Sequence, residues 1–407
     1  MLANYPFVWL QRVASTVLLT LGLNTHVLAD DRVIRVAFLT ADPVQIEALD
    51  LWSKRFEIAN PGYVLDVRAY SDASFKRDLK FWLDNGQFDV IHWQAGRRLT
   101  DLIEQQYLTS MEEILEADFM ATHLPANILE QVQTDNKVFA VPFAQYLWGF
   151  YYNKDLFKAL ELTPPETWAD FLTICSTLKS NGIAPLVQPN IEGWETQGWL
   201  DFITMMIGGA PLRQALVSRQ PLSQTMSDNV IQTFGFLVDN GYFFSGANEW
   251  RWQQAFPIIG RELAGMTLTG QFAEKFISPE ITHKIGFFPF PDSVNNGTVA
   301  PLDVFIVPKG TENSDNIAVL FEFLMRPDVA SKFALDLGWL PVDLVNYTSF
   351  ASDERIDVAV DHLINARTIR QYFDRDAEQA YAKQVHSAIR SAIATGDSDY
   401  LLSIMQQ

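Results

Sequence analysis

The chain has 407 residues, 48% of them apolar, and a formal net charge of −19. That length holds a large buried core and points to two or three domains. Acidity spread along the sequence, with no Lys/Arg-rich run, excludes a basic nucleic-acid footprint and a polybasic membrane patch.

The N-terminal stretch carries one charge, Arg12, and then an apolar run over 13–23. This run is shorter than the roughly 20 residues that span a bilayer, and it has the length of an export signal's apolar region. Val27-Leu28-Ala29 ahead of Asp30-Asp31 predicts cleavage after Ala29, so residues 1–29 read as a signal peptide and the mature protein as periplasmic. No Cys follows the run, which excludes a lipoprotein anchor. Residues 33–39 form a short apolar run typical of a buried strand. Asp42-Pro43 opens a helix with Leu49, Trp52 and Phe56 on one face, and Asn60-Pro61-Gly62 stops it. A second strand follows over 64–70. A second helix carries Phe75, Leu79, Trp82 and Leu83 and is closed by Asn85-Gly86. Residues 89–93 read as a third strand, and Leu99, Leu102 and Ile103 mark a third helix. Strands alternating with helices of this length predict βαβ units and a parallel sheet.

Beyond Pro142 the pattern changes. A strand-like stretch over 148–152 leads to Pro164-Pro165, and Thr167-Trp168-Ala169-Asp170 has the capping-box spacing of a helix start. The single cysteine, Cys175, lies in that helix. One Cys excludes an internal disulfide and a multi-thiolate zinc site, and its apolar setting reads as helix core. The middle reads as mostly helical to about Phe276. Strands return over 284–289 and 304–308, and the tail from about Ser314 reads as helical. A chain that leaves an α/β domain and later returns to it accounts for this order.

Several stretches resemble the extracellular solute-binding family of ATP-driven sugar importers, the group that includes maltose-binding protein. Val138-Phe139-Ala140-Val141-Pro142, Tyr152-Asn153-Lys154-Asp155-Leu156-Phe157 and Pro164-Pro165-Glu166-Thr167-Trp168 are similar to the family's most characteristic block in order and spacing. Residues 260–266 with Gly270, residues 286–291, residues 307–311 and Gly338-Trp339-Leu340-Pro341 resemble four later blocks. The resemblance implies an α/β, two-lobed periplasmic-binding-protein fold with discontinuous lobes, a ligand cleft and a hinge. Lobe 1 would comprise 30–142 and a return over 288–327, and lobe 2 residues 143–287. A C-terminal helical segment over 328–407 would belong mainly to lobe 2. The crossings would fall after Pro142 and near Phe287.

A sugar is held by flat aromatic faces and by fixed polar groups that bond its hydroxyls. Open α/β sheets present such groups at the carboxyl ends of their strands. Asp42 follows the first strand, Trp93 and Gln94 the third, and Asp303 precedes the 304–307 run. The resemblance puts Trp93 at the place of a Trp in maltose-binding protein, with Gly96 and Arg97 where that protein has a ligand-binding Asp-Arg pair. It puts Tyr146 in place of an acid and Phe272 in place of a ligand-stacking Trp. Gln145, beside Tyr146, and Gln271, beside Phe272, join them. Trp194 and Glu195 sit in a loop bounded by Gly193 and Gly198. Trp250 and Trp252 flank Arg251, and Trp339 precedes Leu340-Pro341. These are the candidate ligand residues.

No His pair stands at helical metal spacing, and there is no His-Glu-x-x-His, nucleophile elbow, P-loop or dinucleotide glycine motif. The resemblance, rather than the absence of these motifs, implies a binding protein and not an enzyme, with no cofactor and no metal. It predicts a monomer, no nucleic-acid partner, a carbohydrate ligand and an ABC permease as membrane partner. Three alternatives remain at this level. The same fold serves sugar-sensing receptors that present ligand to a membrane kinase or chemoreceptor. Two of the 49 acids suffice for a glycosidase. Oligopeptides, polyamines or, through Tyr151-Tyr152, ferric iron are other cleft ligands.

Overall fold

The computed structural model describes residues 32–292, 297–344, 347 and 353–405. Residues 1–29, expected to be a signal peptide, lie outside the described residues. Thirteen strands are formed among the described residues: β1 (Arg32–Leu39), β2 (Tyr63–Tyr70), β3 (Val90–Gln94), β4 (Gln133–Thr134), β5 (Lys137–Val138), β6 (Val141–Gln145), β7 (Trp148–Asn153), β8 (Ala184–Leu186), β9 (Ala264–Gly270), β10 (Ile285–Pro289), β11 (Gly297–Val299), β12 (Leu302–Ile306) and β13 (Thr368–Arg370).

They build two principal sheets. The first runs β2-β1-β3-β12-β6 and the second β10-β7-β9-β8. β1, β2 and β3 are mutually parallel, as the strand-helix alternation predicts, whereas β12 enters antiparallel between β3 and β6. Every residue of β3, β12 and β6 is buried, because helices cover both faces of the sheet. The helix Pro43–Ala59 is one of these covers. Asp42 caps it by accepting from the Val44 and Gln45 N–H groups at 2.6 and 3.3 Å, and Gln45, Leu49, Trp52 and Phe56 turn inward. Such a cap contributes about 1 kcal/mol, and each large apolar side chain buried in this way contributes about 1.5–3 kcal/mol. The helix Asp72–Asn85 buries Phe75, Leu79, Trp82 and Leu83 and stops at Gly86, whose φ of 58° favours glycine.

In the second lobe the Thr167–Asp170 capping box is present, and the helix Trp168–Ser180 it opens buries Cys175 with Phe171, Ile174 and Leu178. The helix Gly198–Val217 is broken at Gly209 (φ 66°, ψ −163°), just before Pro211. The helix Gln379–Thr395 closes this part of the chain against the turn at 247–249.

Two expectations shift. β6 continues in the first sheet to Gln145, so the chain crosses at Tyr146-Leu147 and not directly after Pro142. Proline is tolerated there because the β12–β6 ladder slips register between Asp303 and Val304, the partner of Pro142. β10 likewise stays in the second sheet to Pro289, paired with β7. The middle that read as mostly helical also carries β9, which lies between β7 and β8.

Candidate functional site

The two-residue step from β6 to β7 puts several candidate residues at the lobe junction. Gln145 is tied to the chain after the helix Pro327–Asp336: its N–H and C=O pair with Leu340, and its Nε2 donates to Pro341 O and Val342 O at 2.9 and 3.3 Å. Its Oε1 has no partner. Past the crossing, β7 pairs with β9 so that Trp148 faces Gly270 and Gly149 faces Thr269, while Gln271 N–H donates to Leu147 O. This register puts Trp148 on the face of Gly270, where a Cβ would meet Phe272 and Tyr146, and Thr269 on the opposite face with Gly149. Gln271 Oε1 accepts from Leu147 N–H at 3.3 Å, but Gln271 Nε2, Thr269 Oγ1 and Trp148 Nε1 are buried with no partner.

Phe272 is the hub of the aromatic wall. Tyr146, Trp252, Trp194 and Trp148 surround it edge-on, with ring centres at 5.2, 5.2, 5.7 and 5.9 Å. Phe272 and Trp194 are half-buried and the other three are buried. The structure therefore brings together the candidates Gln145, Tyr146, Trp194, Trp252, Gln271 and Phe272.

On the first-lobe side Asp303 pairs with Gln94 across β12 and β3. Leu39 N–H donates to His92 Nδ1, so the ring proton of a neutral His92 sits on Nε2, which faces Asp303 Oδ1 at 3.3 Å but off hydrogen-bond alignment. Burial keeps His92 from charging. Burial also opposes the Asp303 charge, yet Arg375 at 3.2 Å, helped by His92, outweighs it and holds the carboxyl below its usual range.

Glu195 differs from Asp303 in having no basic partner. It accepts from Gly193 N–H at 2.7 Å and Glu192 N–H at 3.3 Å, and burial pushes its pKa up to about 7. Trp194 donates its indole N–H to Glu192 at 3.2 Å.

The other candidates lie apart from the Phe272 cluster. Asp42 is engaged as a helix cap. Trp93 donates to Arg98 O at 3.1 Å and stacks on Phe75. Arg97 is exposed and turned along its own helix to Asp101 and Glu104. Trp250 packs on Phe244, and Trp339 stacks on Phe38 with its indole N–H unpartnered.

A segment outside the candidate set joins the lobes. The strap 371–376 follows β13 and touches both sides. Toward the first lobe, Gln371 accepts from Leu302 N–H, Asp374 binds Arg98 at 2.6 Å, and Arg375 bonds Leu302 O, Asp303 and the Tyr146 hydroxyl. Toward the second, the Tyr372 hydroxyl accepts from Gly198 N–H and donates to Trp194 O, Phe373 N–H bonds Asp201, and Asp376 pairs with Arg213. Arg213 is fully buried and also holds Asp201 at 2.8 Å and Gln371 O at 2.6 Å. Burial of Tyr146 pushes its phenol pKa up, so it stays neutral beneath the Arg375 guanidinium. The segment's letters, Gln-Tyr-Phe-Asp-Arg-Asp, match no motif, and two acids flanking an Arg are the one local signal they carry.

Among the described residues no group of three or more His, Cys, Asp or Glu side chains is placed to hold a metal, and no helix is long and apolar enough to cross a membrane. A cavity of about 430 Å³ lies elsewhere on the first lobe, bounded by Arg35, Asp89, Lys309 and Glu312. Arg35 and Asp89 there are already paired at 3.0 Å.

Two α/β lobes joined by crossing strands, with aromatic rings and unpartnered polar atoms at the junction, define a two-lobed solute receptor. The chain belongs to the bacterial extracellular solute-binding protein family, whose model matches residues 42–331. An uncharacterized ABC transporter extracellular-binding protein of Pyrococcus horikoshii is 25% identical over 315 residues, 72% of this chain and 70% of that one. The multiple sugar-binding protein of Streptococcus mutans is 28% identical over 179 residues, 42% of each chain. In structure, the solute receptor AcbH, described as having an exclusive preference for β-D-galactopyranose, gives a TM-score of 0.83 at 20% identity, covering 92% of this chain and 96% of that one. RafE in complex with raffinose gives 0.76 at 20% identity, covering 92% and 97%.

Proposed function

We propose that this protein captures a carbohydrate between its lobes in the periplasm and delivers it to the permease of an ABC importer, without chemical turnover. The observation that carries the reading is the pairing of the Phe272 aromatic wall with three buried, unpartnered polar atoms at the lobe junction: Gln145 Oε1, Trp148 Nε1 and Gln271 Nε2. An unsatisfied buried polar group costs about 1–3 kcal/mol. A ligand rich in hydroxyls donates and accepts at once, so it relieves both kinds of orphan while its C–H faces meet the rings. An amino acid or a ferric ion would call for fixed counter-charges, whereas Asp303, Arg375, Arg98 and Asp374 already neutralise one another. The sugar-binding roles carried by the names of the Streptococcus mutans relative and of RafE support the same ligand class.

A thermal-shift screen over sugars, amino acids, polyamines and Fe(III) tests this. A ligand at 100 times its dissociation constant stabilises the folded state by about 2.7 kcal/mol. Unfolding entropy for 407 residues is about 0.8 kcal/mol/K, so the midpoint rises by about 3 °C. A shift by a non-sugar alone, or hydrolysis of an oligosaccharide by the pure protein, refutes the reading.

A further inference from the structure

We propose that the strap 371–376 limits the ligand to a single sugar ring; this rests on the carbohydrate reading above. An oligosaccharide needs accessible flat apolar surface for more than one ring. Four of the rings near the junction have no face to give. Trp148 is 2% exposed and stacked on Tyr372 of the strap at 4.1 Å with planes 16° apart. Tyr146 is 7% exposed, with the guanidinium of Arg375 5.4 Å from its ring centre. Trp93 and Trp339, 7% and 6% exposed, are stacked on Phe75 and Phe38. Two of these four faces are covered by the strap itself. Trp194 and Phe272, whose ring centres lie 5.7 Å apart, are the members of the cluster that keep accessible surface, and together they make one platform.

The strap also closes the space beyond that platform. Asp374 reaches across to Arg98, which in turn holds Gln94. The backbone at Arg375 and the carboxylate of Asp376 lie so close to Gly96 that a Cβ there would meet them at 2.9 and 2.6 Å. A second ring extending from Phe272 toward the first lobe would have to displace Arg375 from Asp303, Leu302 and Tyr146 together. The strap thus acts as a stop, and its register sets ligand length.

Isothermal titration of the purified protein with hexoses, pentoses, maltose and raffinose tests the stop. The expected result is a monosaccharide bound at least 100-fold more tightly than raffinose. Asp374→Ala frees the strap from Arg98 and should narrow that ratio at least tenfold; Arg98→Ala removes the same bond from the other side and should do likewise. Raffinose binding as tightly as any monosaccharide overturns the length limit and leaves the carbohydrate reading standing. No binding by any sugar overturns both. A monosaccharide preference that neither substitution alters overturns the strap as its cause.

Discussion

Glu195→Gln separates a carboxylate strained by burial from one that is simply well placed. Glu195 is buried with two backbone N–H donors and no cation, and its pKa is pushed from 4.5 up to about 7. Between those values the folded chain keeps a proton that the unfolded chain has released, so unfolding free energy falls as pH rises. The stability Glu195 allows is fully present below about pH 4.5 and is lost as pH passes 7. The displacement is worth about 3 kcal/mol. Glutamine does not titrate and keeps an oxygen for the 2.7 Å bond from Gly193, but forfeits the weaker 3.3 Å bond from Glu192. The net gain at pH 8 is about 2 kcal/mol, and with an unfolding entropy of about 0.8 kcal/mol/K the midpoint rises by about 2–3 °C. At pH 4.5 wild type and variant should melt within about 1 °C of each other. Melting curves by circular dichroism at the two pH values check this. A variant that melts at or below wild type at pH 8, or by the same margin at both pH values, refutes the argument.

Arg213→Met leaves Asp201 buried without its counter-charge and frees Asp376, at a cost of about 3–5 kcal/mol; the midpoint should fall by about 4–6 °C, and an unchanged midpoint removes the triad from the stability of the fold. Thr269→Val removes an orphan hydroxyl at nearly constant shape, so the protein should gain about 1 kcal/mol and melt about 1 °C higher. Melting curves check this, and a variant that melts no higher than wild type shows that the hydroxyl has a partner in the folded protein.

Much of the first lobe is legible in the letters because its signals are local. Asp42-Pro43, Asn60 and Asn85-Gly86 bound helices whose apolar faces repeat at helical spacing, and those helices form where the spacing predicts. The Thr167–Asp170 box is equally direct. β9 is not, because Ala264–Gly270 carries two glycines, two threonines and no clear alternation; it is a strand because β7 and β8 flank it. Pro142 reads as a strand end, and only the slipped ladder with β12 explains why the strand continues. For the site, aromatic supply was readable but side-chain direction was not. Arg97 and Arg98 are neighbours in the sequence, yet successive helix residues point about 100° apart. Arg97 therefore runs along its own helix, while Arg98 reaches Gln94 and Asp374. Arg375 matters only through partners at 146, 302 and 303, a distance no local pattern reports.

The late position of the strap also orders the making of the molecule. Asp201 and Arg213 are made well before the groups that complete their bonding, at 371, 373 and 376, which come about 160–170 residues later. Asp303 and Tyr146 wait for Arg375 in the same way. A ribosome adding about 5–20 residues each second takes roughly 8–33 s from Arg213 to Asp376 and roughly 4–14 s from Asp303 to Arg375. Through those intervals each lobe holds a buried charge whose bonding is incomplete, so neither reaches its final form before the strap is made.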